Sequence, residues 1–209
     1  AEGATLTETT DEIRRAWDVP IRVLPMSDQR LSTLVTVDDP ATSDGQFTEV
    51  SFQDYFVRLR HGVPVTSIRF DGDAELSTMA RDSLTNAAAV IIAPSNPLVS
   101  IGPIRSLPGV DTLLAERRDH VVAISPIVGG AALKGPADRM LTELGHEPSV
   151  VGVAQLYAPI ASTLVIDNVD AHLAPAVEAT GMRCVVTDTI MSKPGVARQL
   201  ALDALSLPA

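Results

Sequence analysis

The stretch AVIIAPSNPLVSIGPIRSLPGVDTLLAERRDHVVAISP, residues 89–126, decides the fold. It opens on an apolar run at 90–93, crosses a loop stiffened by Pro94, Pro97 and Pro103, and enters a helical pattern near 109–118. A second apolar run follows at 121–124. Strands with no polar alternation are buried on both faces, the condition of a parallel sheet covered by crossover helices. The loop is stiffer than a turn requires, because each proline fixes φ and restricts the residue before it. Such stiffness suits a preorganised ligand loop.

The rhythm continues outward from this unit. Upstream, STMARDSLTNA (77–87) reads as a helix. Downstream come helix PADRMLTELG (136–145), strand STLVID (162–167), helix DAHLAPAVEATG (170–181), strand RCVVTD (183–188) and helix PGVARQLALDAL (194–205). The expected fold class is α/β: a three-layer, Rossmann-like, mostly parallel sheet with helices on both faces.

The first third departs from that rhythm. TLTETTDEIRRAW (5–17) predicts a helix capped by Thr5 or Thr7, with Leu6, Ile13 and Trp17 as its apolar stripe. IRVLPMSD (21–28) predicts a short strand ending at Pro25. STLVTVDDPATSDGQFTEVSF (32–52) predicts a hairpin around a Pro/Asp/Gly turn. FQDYFVRLRHG (52–62) predicts a short amphipathic helix closed by Gly62, and VTSIRFDG (65–72) another strand. The chain reads as one α/β domain over 1–209, with 30–62 as a small hairpin/helix insertion or subdomain.

Composition bounds the function. The 209 residues are 45% hydrophobic and 20% charged, sufficient for a sizeable core. A formal net charge of −10 argues against a generic nucleic-acid or anionic-membrane surface. With only 3% aromatic residues, an extended base-stacking surface is not expected either. Cys184, the single cysteine, rules out an internal disulfide and any CxxC metal site, and its apolar neighbours predict a small buried hydrophobe. The four histidines show no HExxH spacing, and no metal-ligand set emerges from the chain. No apolar run approaches the ~18 residues of a membrane span, and no signal-peptide pattern opens the chain. A cytoplasmic location is expected.

Ligands in open parallel sheets bind beyond the carboxyl ends of the strands. Four consecutive ends carry polar groups there. The first offers Ser95, Asn96 and Ser100; the second offers Ser125, Gly129, Gly130 and Lys134; Asp167 and Asn168 follow the third; Thr187, Asp188 and Thr189 follow the fourth. Asp167 and Asp188 read equally as helix caps or ligands. The glycine pair allows positive φ and close backbone approach, and Lys134 brings the charge a phosphate needs. GxxxxGK[ST] is not matched, because a proline lies just past Lys134-Gly135. No nucleophile–base pair or dense carboxylate cluster emerges, so no catalytic residue is assigned. Read this far, the sequence describes an α/β domain with a phosphate-bearing small-molecule ligand.

IAPSNPLVSIGPI, SPIVGGAALKGPADRML and VVTDTIM, flanked by LPMSD, FQDYFVRLRHGVPV and GVAQLYAPIASTLVIDNVD, resemble the CofD family. These are 2-phospho-L-lactate or phosphoenolpyruvyl transferases of coenzyme F420 biosynthesis, called FbiA in actinobacteria, and the style of this chain suggests an actinobacterial-type member. The resemblance implies transfer of a phosphorylated three-carbon acid from a GDP-linked donor to the deazaflavin Fo, with release of GMP. It also implies magnesium (Mg2+) and a homo-oligomer as expectations. By the same resemblance Ser95, Asn96 and Ser100 are polar contacts, Gly129, Gly130 and Lys134 belong to the donor's phosphates, Thr187 and Asp188 to guanine or ribose, and Ser125 joins the substrate- or nucleotide-binding set. Members begin with a glycine-rich GGxGG-type segment and an Asp-rich stretch that this chain does not show. It therefore looks like a carboxyl-terminal portion, with the main metal ligands expected in the missing part. The competing readings are a non-catalytic nucleotide or sugar-nucleotide binder of the YvcK-like type, and a fragment serving only assembly.

Overall fold

The computed structural model describes residues 3–38 and 47–207. Helix α1 (Leu6–Ala16) is capped by Thr5, whose hydroxyl accepts from Glu8 N–H while the Glu8 carboxylate accepts from Thr5 N–H. This reciprocal capping box satisfies two otherwise free donors. The predicted stripe is present but not buried: Leu6, Ile13 and Trp17 all face solvent, Trp17 at 79% exposure. The predicted strand at 21–28 does not form. Its backbone joins no ladder among the described residues, and strand propensity without a partner gives no structure.

Strands β1 (Ser32–Val37), β2 (Thr48–Ser51) and β3 (Val65–Asp71) make an antiparallel sheet in the order β2-β1-β3. The hairpin predicted over 32–52 is thus β1 and β2, and its turn at 39–46 lies outside the described residues. Between β2 and β3 runs a single π-helical turn, Asp54–Arg58, in which Leu59 N–H reaches back five residues to the Asp54 carbonyl. Gly62 does not close it. The positive φ values fall instead on Arg60 (50°) and His61 (42°), where His61 N–H bonds the Tyr55 carbonyl.

From α2 (Thr78–Asn86), capped by Ser77, the alternation predicted from sequence appears. Strands β4 (Val90–Ile92), β5 (Val121–Ile124), β8 (Thr163–Asp167) and β9 (Arg183–Thr187) form a wholly parallel sheet in that order. Beyond β4, a π-helical turn (Pro97–Ile101) runs into α3 (Gly102–Arg105), and α4 spans Val110–Glu116. PSNPLVSIGPI is therefore mostly helix, not loop. Asn96 and Pro97 are its cap and first residue, the place where a ring-fixed φ and a missing N–H cost nothing. A tight hairpin of β6 (Ile127–Val128) and β7 (Ala131–Ala132) precedes α5 (Ala137–Glu143). Helix α6 (Val150–Tyr157) was not anticipated from the sequence; α7 (Ala174–Glu178) and α8 (Val196–Ser206) complete the fold.

Side-chain alternation divides the core between the two faces of the parallel sheet. Val121, Ala123, Leu164 and Ile166 pack with Leu114, Leu141, Val153 and Val177, beneath α4, α5, α6 and α7. Val122, Ile124 and Val165 point the other way, onto Leu200 and Ala204 of α8. Each fully buried valine or leucine of this set contributes ~1.5–3 kcal/mol. A third cluster joins the antiparallel sheet to the rest: Val35, Val37, Tyr55 and Val65 meet Val99 and Met140. That packing brings the π-turn of 54–58 over the carboxyl ends of the parallel strands.

Candidate functional site

A cleft of about 670 Å³ lies at those ends. Its lining includes Pro94 and Ser95 after β4, Ser125 and Pro126 after β5, and Thr189, Ile190, Met191 and Ser192 after β9. Asn96, Val99 and Ser100 come from the helical turn beyond β4, while Leu133, Lys134 and Gly135 come from the segment leading into α5. Phe52 and Phe56 close the set from the antiparallel subassembly. Lys134 is the single charged residue among the described lining residues, so the cleft presents one positive group amid hydroxyls and apolar surface.

Of the nine predicted site residues, the structure brings five into this cleft: Ser95, Asn96, Ser100, Ser125 and Lys134. Their roles differ. Asn96 Oδ1 accepts from the N–H groups of Leu98 (2.9 Å) and Val99 (3.3 Å), so its oxygen serves as the cap. Ser125 is 2% exposed, and its hydroxyl both accepts from Ile127 N–H and donates to the Ile127 carbonyl, at 3.1 Å each. That hydroxyl shapes the turn. Ser100 and Lys134 are exposed, and both suit direct contact with a ligand.

The other four do not line the cleft. Gly129 and Gly130 are the two turn residues of the β6–β7 hairpin, with φ of 62° and 79°, the conformation a type I′ turn demands. Gly129 N–H donates to Asp170 Oδ2 at 2.9 Å, so a buried carboxylate occupies the position expected for a phosphate. Thr187 ends β9 opposite Asp167. Asp188 accepts from Ile190 N–H (3.1 Å) and pairs with Lys193 Nζ at 2.8 Å.

Asp167 proves to be a cap. Its Oδ1 accepts from Val169 N–H (3.1 Å), and its Oδ2 from the N–H and hydroxyl of Thr189 (2.9 and 3.0 Å). Burial pushes its carboxyl pKa up, but the donors from Thr189 and Val169 outweigh that effect and leave it lowered. Thr189 is thereby fixed at the cleft. Sequence reasoning placed Thr189 among the polar strand ends without assigning it a contact, and missed the Phe52–Phe56 pair, which on a short amphipathic helix reads as core. The Cys184 thiol packs against the main core, where burial and then Glu178 push its pKa up to about 11; it stays a protonated thiol at neutral pH.

The residues present do not fit a magnesium site. Among the described residues no carboxylate lines the cleft, and no group of three His, Cys, Asp or Glu could hold a metal ion. Among them, too, no helix is long and apolar enough to cross a membrane.

Fold and cleft together define an α/β protein with an open cleft at the carboxyl edge of a parallel sheet. The family model described as 2-phospho-L-lactate transferase CofD matches residues 1–201, and the chain belongs to the CofD family. It is 35% identical over 209 residues to a 2-phospho-L-lactate transferase of Methanococcoides burtonii, covering 99% of this chain and 65% of that protein. To a phosphoenolpyruvate transferase of Streptomyces avermitilis it is 36% identical over 208 residues, covering 98% of this chain and 64% of that protein. The chain thus spans somewhat under two thirds of the length of these curated relatives. Among solved structures it is similar to a Bacillus halodurans protein of the UPF0052 family. In one crystal structure of that protein the likeness has a TM-score of 0.60 at 16% identity, covering 93% of this chain and 65% of the other. That likeness supports the same fold.

Proposed function

We propose that the protein serves coenzyme F420 biosynthesis as a transferase, moving 2-phospho-L-lactate or phosphoenolpyruvate from a GDP-linked donor to Fo and releasing GMP. The observation that carries this reading is the cleft itself: in a CofD-family chain, one cation and several hydroxyls meet at the carboxyl ends of parallel strands. A volume of about 670 Å³ falls within the ordinary range for small-molecule sites.

In this reading a hydroxyl oxygen of Fo bonds to the phosphorus that carries the three-carbon acid. The bond from that phosphorus to the oxygen bridging to GMP breaks, GMP leaves with the bridging oxygen, and the proton of the Fo hydroxyl passes to solvent water. Little covalent work falls to the protein, so positioning and charge stabilisation dominate. Lys134 neutralises negative charge on the donor phosphates and the departing GMP, and the Ser100 hydroxyl donates to phosphate oxygen. The Asn96 cap holds the turn that carries Ser100. Magnesium is implied by the family resemblance, and the described residues of this cleft offer it no carboxylate ligands.

The test is release of GMP when the protein is mixed with Fo, magnesium and either GDP-linked donor. Release that requires both Fo and donor supports the transferase. Saturable GDP binding without release supports the non-catalytic nucleotide binder instead.

A further inference from the structure

Phe52 and Phe56 are two of the four phenylalanines in the chain, and both line the same cleft. Phe56 is 43% exposed, which leaves much of its ring uncovered. The covered part rests on Phe52 (centroids 5.8 Å apart, planes at 34°) and His61 (5.3 Å, 33°). The backbone is bent to build this arrangement. The five-residue hydrogen bond of the π-turn sets its width, and two successive non-glycine residues with positive φ return His61 against Phe56. Strained backbone of this kind persists only where the surroundings hold it. Here α5 does so: Arg139 donates to the Tyr55 hydroxyl, and Glu143 Oε2 accepts from Val65 N–H at 2.9 Å. A half-exposed aromatic ring, backed by two others and facing a cleft of mixed polar and apolar groups, is a stacking platform.

We infer that Phe56, backed by Phe52 and His61, stacks against the planar heteroaromatic ring of a ligand in the cleft, resting on the function proposed above. Two rings share that chemistry: guanine of the donor and the deazaflavin of the acceptor. The low aromatic content argues against an extended base-stacking surface, and a single platform needs only this one cluster.

Calorimetric titration separates the outcomes, using wild type, Phe56→Ala, Phe56→Leu and Phe56→Tyr against GDP, Fo and, as a probe without a ring, inorganic pyrophosphate. Phe56→Ala and Phe56→Leu are expected to bind one ring-bearing ligand roughly 5- to 150-fold more weakly. Phe56→Tyr, which keeps the π-face, stays within about threefold of wild type. Pyrophosphate affinity, where measurable, does not change. A loss for GDP assigns the platform to guanine, and a loss for Fo assigns it to the deazaflavin. Wild-type affinity for both ligands in Phe56→Ala, with an unchanged melting temperature, overturns the platform and leaves the proposed function standing. Wild type that binds neither GDP nor Fo overturns both.

Discussion

Asp167 and Thr189 are joined twice: Asp167 Oδ2 accepts from the Thr189 N–H at 2.9 Å and from its hydroxyl at 3.0 Å. The pair ties the end of β8 to the segment that follows β9 and so sets one wall of the cleft. Removing the acceptor in Asp167→Ala strands the buried N–H and hydroxyl of Thr189 and is expected to cost about 1–3 kcal/mol. Urea unfolding at neutral pH measures that loss.

The same pair predicts a pH dependence. The folded-state pKa of Asp167 is lowered, whereas the unfolded value is about 3.9. Its stabilisation is therefore fully present above the unfolded value and is lost as pH falls through the depressed folded value. Between neutrality and about pH 3, wild type should lose more stability than Asp167→Asn. Parallel acid-induced losses in the two proteins would contradict this assignment.

Asn96 separates capping from ligand contact. Asn96→Ala should lower stability by about 1 kcal/mol through loss of the bonds to Leu98 and Val99. Asn96→Asp keeps an acceptor for those N–H groups, so its denaturation midpoint should stay near wild type. Its added negative charge in the cleft should nevertheless weaken GDP binding.

Arg60 occupies left-handed backbone that glycine adopts without a side-chain clash. Arg60→Gly should therefore stabilise the protein by about 1 kcal/mol and raise the melting temperature by roughly 2–4 °C. Scanning calorimetry checks it.

Gly130 tests the hairpin assignment. With φ of 79° and open space where an added methyl would stand, Gly130→Ala costs only backbone strain, about 1–2 kcal/mol. GDP affinity should be unchanged, because the residue lies off the cleft. A tenfold or larger loss would restore the glycine pair to the phosphate site.

The parallel sheet was legible because double-sided burial writes continuous apolar runs, as in Val121–Ile124 and Thr163–Asp167. Helix α6 was not, for a related reason. Five of its eight residues are buried, so VVGVAQLY carries little of the polar face that reveals a helix. The 21–28 segment has strand-forming residues but no partner, and partners are a property of the fold. In the site, polar strand ends pointed to the right edge of the sheet. They could not show whether a serine faces a ligand or, like Ser125, bonds its own turn. The Asn96-Pro97 helix start carried a recognisable local signal, cap followed by N1 proline, which the proline-rich polar context masked. Phe56 gave none, since nothing in FQDYFVRLRHG distinguishes a core aromatic from one left open in a cleft.

The central claim is that the cleft around Lys134 holds the nucleotide phosphates. Titrating GDP into wild type and Lys134→Ala by calorimetry tests it most directly, because Lys134 is exposed and its loss leaves the core untouched. One saturable site in wild type, weakened roughly tenfold or more in Lys134→Ala, is the predicted result. Absence of binding in wild type, or equal affinity in the two proteins, would contradict it.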